Sequence, residues 1–233
     1  MSNVLITGSS AGIGLTIAQH FESLGHRVFK TGRREILNGG SNYFRADLKN
    51  SNEVAELYEA ALRYFGNIDI LVNNAGEYLY REVERISISE ITAMASINLI
   101  APYYMSSLVV PGMKKRSWGR IINIGSVSGA VGEGGASFYS ATKAGLIGMT
   151  KALALELASS GITVNTINPG WVKTNLVEQD CNFDEAEVLD VVPQKRFIEP
   201  IEVAKMVEYL ASDDAKGVTG QSINLCAGLS VGC

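Results

Sequence analysis

The feature that most constrains this chain lies at its N-terminal end. An apolar strand pattern, Val4-Leu5-Ile6-Thr7, runs without a linker into Gly8-Ser9-Ser10-Ala11-Gly12-Ile13-Gly14, and a helical pattern starts at once. Glycines allow the sharp turn between the two elements, and the helix that follows opens with N–H groups that have no partner inside it. The rest of the chain repeats the theme. Short apolar runs at residues 4–7, 27–31, 43–46, 68–73, 120–124, 163–168 and 222–225 alternate with helical stretches at 13–24, 52–65, 89–110, 139–160 and 200–210. That alternation predicts an α/β fold: a Rossmann-type, doubly wound parallel sheet of about seven strands with helices on both faces. No linker or repeat is visible, so residues 1–233 read as a single domain. Residues 171–194 fit neither period and read as a substrate lid.

Composition excludes several function classes. With 46% hydrophobic and 19% charged residues, the chain is not disordered. A net charge of -4 argues against nucleic acid or an anionic membrane surface as partner. The apolar run within residues 1–8 is too short for a signal peptide, and no stretch reads as approaching the ~20 apolar residues of a spanning helix. Cys181, Cys226 and Cys233 are odd in number, far apart and without His neighbours. They fit reduced thiols in a cytoplasmic protein and predict no metal site.

A glycine-rich turn before a helix can be only a tight turn, but its place after the first strand points to a pyrophosphate held on the helix N-terminus. The spacing is Gly-x-x-x-Gly-x-Gly rather than the general Gly-x-Gly-x-x-Gly. Three further motifs follow: Asn73-Asn74-Ala75-Gly76 after the fourth strand, Tyr139-Ser140-Ala141-Thr142-Lys143 on a helix, and Pro169-Gly170 after the sixth strand. Together, in this order and over essentially the whole chain, they resemble the short-chain dehydrogenase/reductase family. The resemblance implies an NAD(P)(H) site formed by Gly8, Ser10, Gly12, Ile13, Gly14, Asp47, Leu48, Asn74, Ala75 and Gly76. Tyr139, Lys143, Pro169, Gly170, Val172 and Thr174 complete it at the nicotinamide end.

The end of the second strand bears on which dinucleotide. Where an acid would bind a ribose 2′-OH the chain has Gly32, followed by Arg33 and Arg34. The two arginines suit a 2′-phosphate, so NADP(H) is favoured over NAD(H); the alternative is a pair of solvated surface arginines. The link from Gly32 to Asn42 is too short for a full helix, which predicts an open adenosine side. Asp47 matches the family's adenine-contacting acid and equally suits a helix cap.

Tyr139 and Lys143 stand at i and i+4 and so share one helix face. A free tyrosine has a pKa near ~10. A nearby ammonium and an oxidised nicotinamide favour its phenolate, making it a usable acid/base. By resemblance Ser126, just past the fifth strand, hydrogen-bonds the substrate oxygen; it also fits a turn serine, with Ser128 as a rival. Pro102 cannot donate to the Asn98 carbonyl, so a kink is expected there. In the family an equivalent carbonyl anchors a water linked to the catalytic lysine, which makes Asn98 the fourth catalytic residue. The alternative is a kink that only improves packing.

The overall pattern is nearest to 3-oxoacyl-acyl-carrier-protein reductases, through Lys114-Lys115-Arg116 and residues 135–143. Arg116 matches a basic position that docks the acidic carrier, but Ser160 stands where a second arginine is often found. The lid carries Glu178, Asp180, Asp184, Glu185, Glu187 and Asp190 against Lys173, which repels an acidic partner or simply keeps the segment soluble. Three readings follow, in order: reduction of a free small ketone, cyclic ones included, or oxidation of its alcohol; reduction of a 3-oxoacyl thioester; a silent cofactor-binding sensor or scaffold. The intact Ser126, Tyr139 and Lys143 set speaks against the third. The apolar helices at 89–110 and 139–160 need two partners each, and with the resemblance they imply a homotetramer rather than a monomer with deeply buried helices.

Overall fold

All seven apolar runs form strands: β1 (Asn3–Ile6), β2 (Arg27–Gly32), β3 (Tyr43–Arg45), β4 (Ile70–Asn73), β5 (Gly119–Ile124), β6 (Ile162–Pro169) and β7 (Ser222–Leu225). They make one parallel sheet in the order β3-β2-β1-β4-β5-β6-β7. The computed structural model describes residues 1–35, 40–174 and 185–231. Strand order reverses between β1 and β4, the place where open parallel sheets take their ligands.

Alternation along each strand explains why both faces are covered. Val4, Ile6, Ile70, Val72, Ile122, Ile124 and Ile167 belong to one core cluster, while Leu5, Leu71, Ile121 and Val164 belong to the other. The first cluster includes residues of α1 (Gly12–Ser23) and α8 (Pro200–Ala211), which pack on each other. The second includes residues of α2 (Ser51–Phe65), α4 (Ala101–Arg116) and α6 (Ser137–Leu157). Two short helices escape sequence reading: α5 (Ser128–Val131), too short for any period, and α7 (Glu185–Val191).

Within residues 171–194, which fit neither period, Glu185–Val191 forms the short helix α7. Val172 also pairs with Ile198, and Val192 is buried. Residues 175–184, with Glu178, Asp180, Cys181 and Asp184, lie outside the described residues.

The single kinked helix expected over 89–110 is three pieces: α3 (Ile88–Ala95), a π-helical turn at Ser96–Ile100, and α4. The Ala101 N–H reaches back five residues to the Ser96 carbonyl. Pro102 has no N–H for Asn98 and its ring crowds that carbonyl, so widening the preceding turn accommodates it. Asn98 thereby turns fully into the interior. The 29-residue rod Ile88–Arg116 is, by length and composition, apolar enough to cross a membrane, contrary to the expectation from apolar runs. In this fold Met94, Ile97, Met105, Val109 and Met113 of the rod are buried in the protein itself.

Buried amides tie the site-bearing elements together. Asn73 Nδ2 on β4 donates to Asn123 Oδ1 on β5 at 2.9 Å, and Asn123 Nδ2 donates to Thr150 Oγ1 on α6 at 2.8 Å. Thr150 and Thr166 on β6 share a 2.6 Å hydroxyl contact. All four are buried, so each lost partner strands a polar group away from water. Asn123→Leu, close in volume, is expected to lower stability by about 1–3 kcal/mol. That corresponds to a drop in melting temperature of roughly 3 to 10 °C; an unchanged thermal midpoint would show that the network is not holding α6 to the sheet.

Candidate active site

The turn after β1 is shaped by contacts that leave no room for side chains. Gly8 has φ +66°, and a Cβ there would stand 2.8 Å from the Ala75 Cα. A Cβ on Gly14 would strike the Gly8 carbonyl. Gly12, at φ +55°, has only Thr174 near it, at 3.7 Å. Ser9, which sequence reading passed over, fixes the turn: its Oγ donates to the Ile6 carbonyl at 2.9 Å and accepts the Thr31 N–H at 3.0 Å. Ser10 packs against Gly32, where a Cβ would strike its Oγ. Helices α2 and α3 have side-chain caps at Asn50 and Ser87, whereas Ala11 offers α1 none, as Ala136 offers none to α6. An open glycine turn leading into a helix start without a side-chain cap fits a dinucleotide pyrophosphate. Ile13 packs against the core behind it.

Asn74 braces this turn rather than lining open space. Its Nδ2 donates to the Thr7 and Gly8 carbonyls at 2.9 and 3.0 Å, and Thr7 Oγ1 accepts the N–H groups of Asn74 and Ala75 at 2.9 and 3.0 Å. These uses of Thr7 explain why β1 ends one residue earlier than its apolar run.

On the adenosine side, Arg33 Nη1 and Lys49 Nζ both contact Glu77, at 2.8 and 2.7 Å. Arg33 follows β2 and Glu77 follows β4, so the pair passes over the end of β1 between them. Arg34 is exposed, and its carbonyl accepts the Tyr43 hydroxyl at 2.6 Å. Asp47 Oδ1 accepts the Lys49 N–H at 3.1 Å, while the cap of α2 is Asn50. Leu48 is buried in the core with Ala46 and Val54. The expected opening of this side falls partly on residues 36–39, outside the described residues.

At the other end, the Pro169 carbonyl accepts the Val127 N–H at 2.9 Å and the Gly170 N–H donates to the Leu225 carbonyl at 2.9 Å. A Cβ on Gly170 would stand 2.9 Å from the Cys226 Cα. Val172 is buried, and Thr174 returns to Gly12. The 169–174 segment thus closes back on the glycine turn.

Between these ends, α6 presents Tyr139 and Lys143. Lys143 is buried, and its Nζ donates to the Ile124 carbonyl at 3.0 Å and lies 5.7 Å from the Tyr139 ring centre. Burial pushes the ammonium down from the ordinary 10.5 to about 8. Burial also pushes the Tyr139 phenol up; a hydrogen bond with Ser126 works against that rise, and the charge of Glu133 adds to it. A Cβ on Gly76 would stand 3.0 Å from Asn98 Oδ1 and 3.4 Å from Lys143 Nζ, so glycine there is what lets the two side chains converge. Asn98 Oδ1 accepts the Glu77 N–H at 2.9 Å, and its Nδ2 donates to the Glu77 carbonyl and to Thr142 Oγ1 at 2.9 and 3.2 Å. Thr142 Oγ1 in turn donates to the Tyr139 carbonyl at 2.7 Å.

Ser128, read as a rival to Ser126, is its partner. Ser126 Oγ donates to Ser128 Oγ at 3.1 Å and accepts the Ser128 N–H at 3.2 Å. Ser128 Oγ donates to Glu133 at 2.6 Å, Tyr78 OH donates to the same carboxylate at 2.7 Å, and the Tyr78 ring stands edge-on to Tyr139 with centres 5.0 Å apart. Glu77, Tyr78 and Glu133 lie in the loops 77–81 and 129–138, which sequence marks as deciding the substrate, but their partners, like those of Lys49 and Thr142, are set by contacts that no local pattern encodes.

A tyrosine beside a buried ammonium, next to an open glycine turn, is an arrangement that suits a dinucleotide-dependent redox site. The comparisons with known proteins agree. The family model described as enoyl-(acyl carrier protein) reductase matches residues 8–230. The chain is 37% identical over 233 residues to the 3-oxoacyl-[acyl-carrier-protein] reductase of Haemophilus influenzae, covering 97% of this chain and 96% of that one. It is 35% identical over 249 residues to the D-beta-hydroxybutyrate dehydrogenase of Rhizobium meliloti, covering 96% of each. It is 37% identical over 251 residues to a granaticin polyketide synthase ketoacyl reductase of Streptomyces violaceoruber, covering 97% and 92%. The chain belongs to the short-chain dehydrogenase/reductase family and is an oxidoreductase.

The lowered Lys143 pKa has a consequence for rate. The ammonium is present below about pH 8 and is lost above it. Values of kcat/KM, which report the free enzyme, are expected to fall as pH rises through that point. A profile still flat two pH units higher would contradict a role for the charged form.

Proposed function

We propose that this enzyme uses NADP(H) to reduce a free small ketone to its secondary alcohol, and runs the reverse reaction when the alcohol is supplied. The observation that carries the reading is the pairing of Tyr139, whose phenol burial keeps protonated, with the Ser126 hydroxyl on one side and the Lys143 ammonium on the other. The cofactor, when bound, supplies the hydride. Tyr139 O–H delivers the proton to the ketone oxygen, and Ser126 stabilises the charge that builds there. Lys143 binds the ribose and eases the loss of the Tyr139 proton. The Asn98 carbonyl, which Pro102 cannot engage, holds the water that restores that proton. Gly8, Ser10, Gly12, Ile13 and Gly14 hold the pyrophosphate; Pro169, Gly170, Val172 and Thr174 hold the nicotinamide end. Residues 171–194 act as the lid of a single domain, and the setting is the cytoplasm.

The cofactor choice rests on Gly32 in place of an acid and on the cations Arg33 and Lys49. A 2′-phosphate would take Arg33 from Glu77, exchanging one charge-assisted contact for another. The substrate choice rests on Arg116, the position expected to dock a carrier protein. Its guanidinium is engaged by its own chain, donating to the Ile68 and Gly112 carbonyls at 2.6 and 2.9 Å. Thioester reduction is the second reading, favoured by relatives named as 3-oxoacyl-[acyl-carrier-protein] reductases. A homotetramer accounts for the exposed Ile88, Ile100, Tyr103 and Leu155 on the α3–α4 and α6 faces.

The test is NADPH and NADH consumption with free ketones beside a 3-oxoacyl thioester. Tyr139→Phe is expected to abolish turnover while still binding cofactor, and Arg33→Ala to weaken NADPH about tenfold or more without affecting NADH. Turnover unchanged in Tyr139→Phe overturns the acid/base assignment, and equal loss with both cofactors overturns the NADP(H) preference. Sedimentation of the same preparation is expected at four times the 25.0 kDa chain mass; a monomer refutes the tetramer.

A further inference from the structure

We propose that Glu133 biases the charge of the substrate: it disfavours ketones with an anionic group beside the reacting carbonyl relative to neutral or cationic ones. The inference rests on the proposed reading that Ser126 and Tyr139 hold the carbonyl oxygen.

Glu133 lies in the turn between α5 and α6, and that turn is built to hold it still. Gly132 and Gly135 take positive φ, +81° and +77°, which L side chains adopt only with strain. The Tyr80 ring fills the place of a Cβ on Gly135, and the Gly135 carbonyl accepts the Arg81 N–H at 2.6 Å. The two loops that flank the reacting groups, residues 77–81 and 129–138, are thereby fastened to each other around the carboxylate.

Both oxygens of Glu133 accept hydrogen bonds, one from Tyr78 OH and one from Ser128 Oγ. Ser128 is the direct partner of Ser126, and Tyr78 stands against Tyr139. One hydroxyl and one ring therefore separate the negative charge from the two groups that meet the carbonyl oxygen. The partners on Glu133 are neutral donors, which orient the charge without cancelling it.

Neighbouring cations are committed elsewhere. Lys143 turns its ammonium to the Ile124 carbonyl, Arg81 pairs with Glu90 at 3.2 Å, and Arg33 and Lys49 share Glu77. Among the described residues no cation lies within ion-pair distance of Glu133. A carboxylate on the substrate would meet this charge at the moment its ketone meets Tyr139, and like charges so placed discriminate by repulsion. Because Glu133 is only partly buried, water and salt weaken the effect, which sets its scale at a threefold to tenfold change on the order expected for partly screened charges.

A matched pair of ketones isolates the charge: 3-oxobutanoate and its methyl ester, each with NADPH and the full-length chain. The natural chain is expected to favour the ester, and Glu133→Gln to raise the acid-to-ester ratio of kcat/KM by about threefold to tenfold. Glu133→Asp, which keeps the charge, is expected to retain the preference, and added salt to shrink it in the natural chain and Glu133→Asp but not in Glu133→Gln. A ratio that is the same in the natural chain and Glu133→Gln, or that shifts equally in the Gln and Asp variants, overturns the inference and leaves ketone reduction standing. Turnover of neither compound, nor of any other ketone, overturns the reading beneath it and this inference together.

Discussion

Lys143 keeps an ammonium group out of water, and much of the site is arranged around that placement. A buried charge needs hydrogen-bond partners and close packing to hold its position. The Ile124 carbonyl at the end of β5 supplies one partner. Gly76 lacks the side chain that would crowd Nζ, and a Cβ on Gly129 would stand 2.7 Å from the Lys143 backbone. Α6 can approach α5 this closely only because of that glycine. The Asn73–Asn123–Thr150–Thr166 chain then locks the same helix to three strands. Tyr139 inherits its place from this anchoring, one helical turn before the lysine.

The electrostatics of the site have two signs, laid out along its length. Arg33 and Lys49 bring positive charge to the ends of the strands beside β1, where both pair with Glu77. Lys143 puts one positive charge beside Tyr139, and Glu133 puts a negative one against Ser128 and Tyr78. This distribution suits a polyanionic cofactor entering along one edge and a substrate of different charge meeting it in the middle.

How much of this was legible depends on whether the information is local. A parallel sheet buried on both faces needs near-continuous apolar runs, which is why all seven strands could be read, some with ends displaced where a turn claims a residue, as at Thr7. Tyr139 and Lys143 were readable because their relation is a helical repeat. Pro102 announced a disruption at Asn98, yet whether the chain kinks or adds a π turn is decided by packing. Glu133 and Tyr78 are 55 residues apart, and Arg33 and Glu77 are 44 apart. No periodicity joins such pairs, and the hydrogen bonds between Ser126 and Ser128 follow from the fold of their turn rather than from any repeat.

The central claim is that hydride passes between a nicotinamide and a carbonyl carbon held by Tyr139 and Ser126. It is tested most directly by supplying NADPH deuterated at the transferring position, with free ketones, and analysing the alcohol formed. The account predicts one deuterium on the carbinol carbon, in a single stereochemical sense. Alcohol formed without deuterium, or cofactor consumed with no alcohol formed, would contradict it.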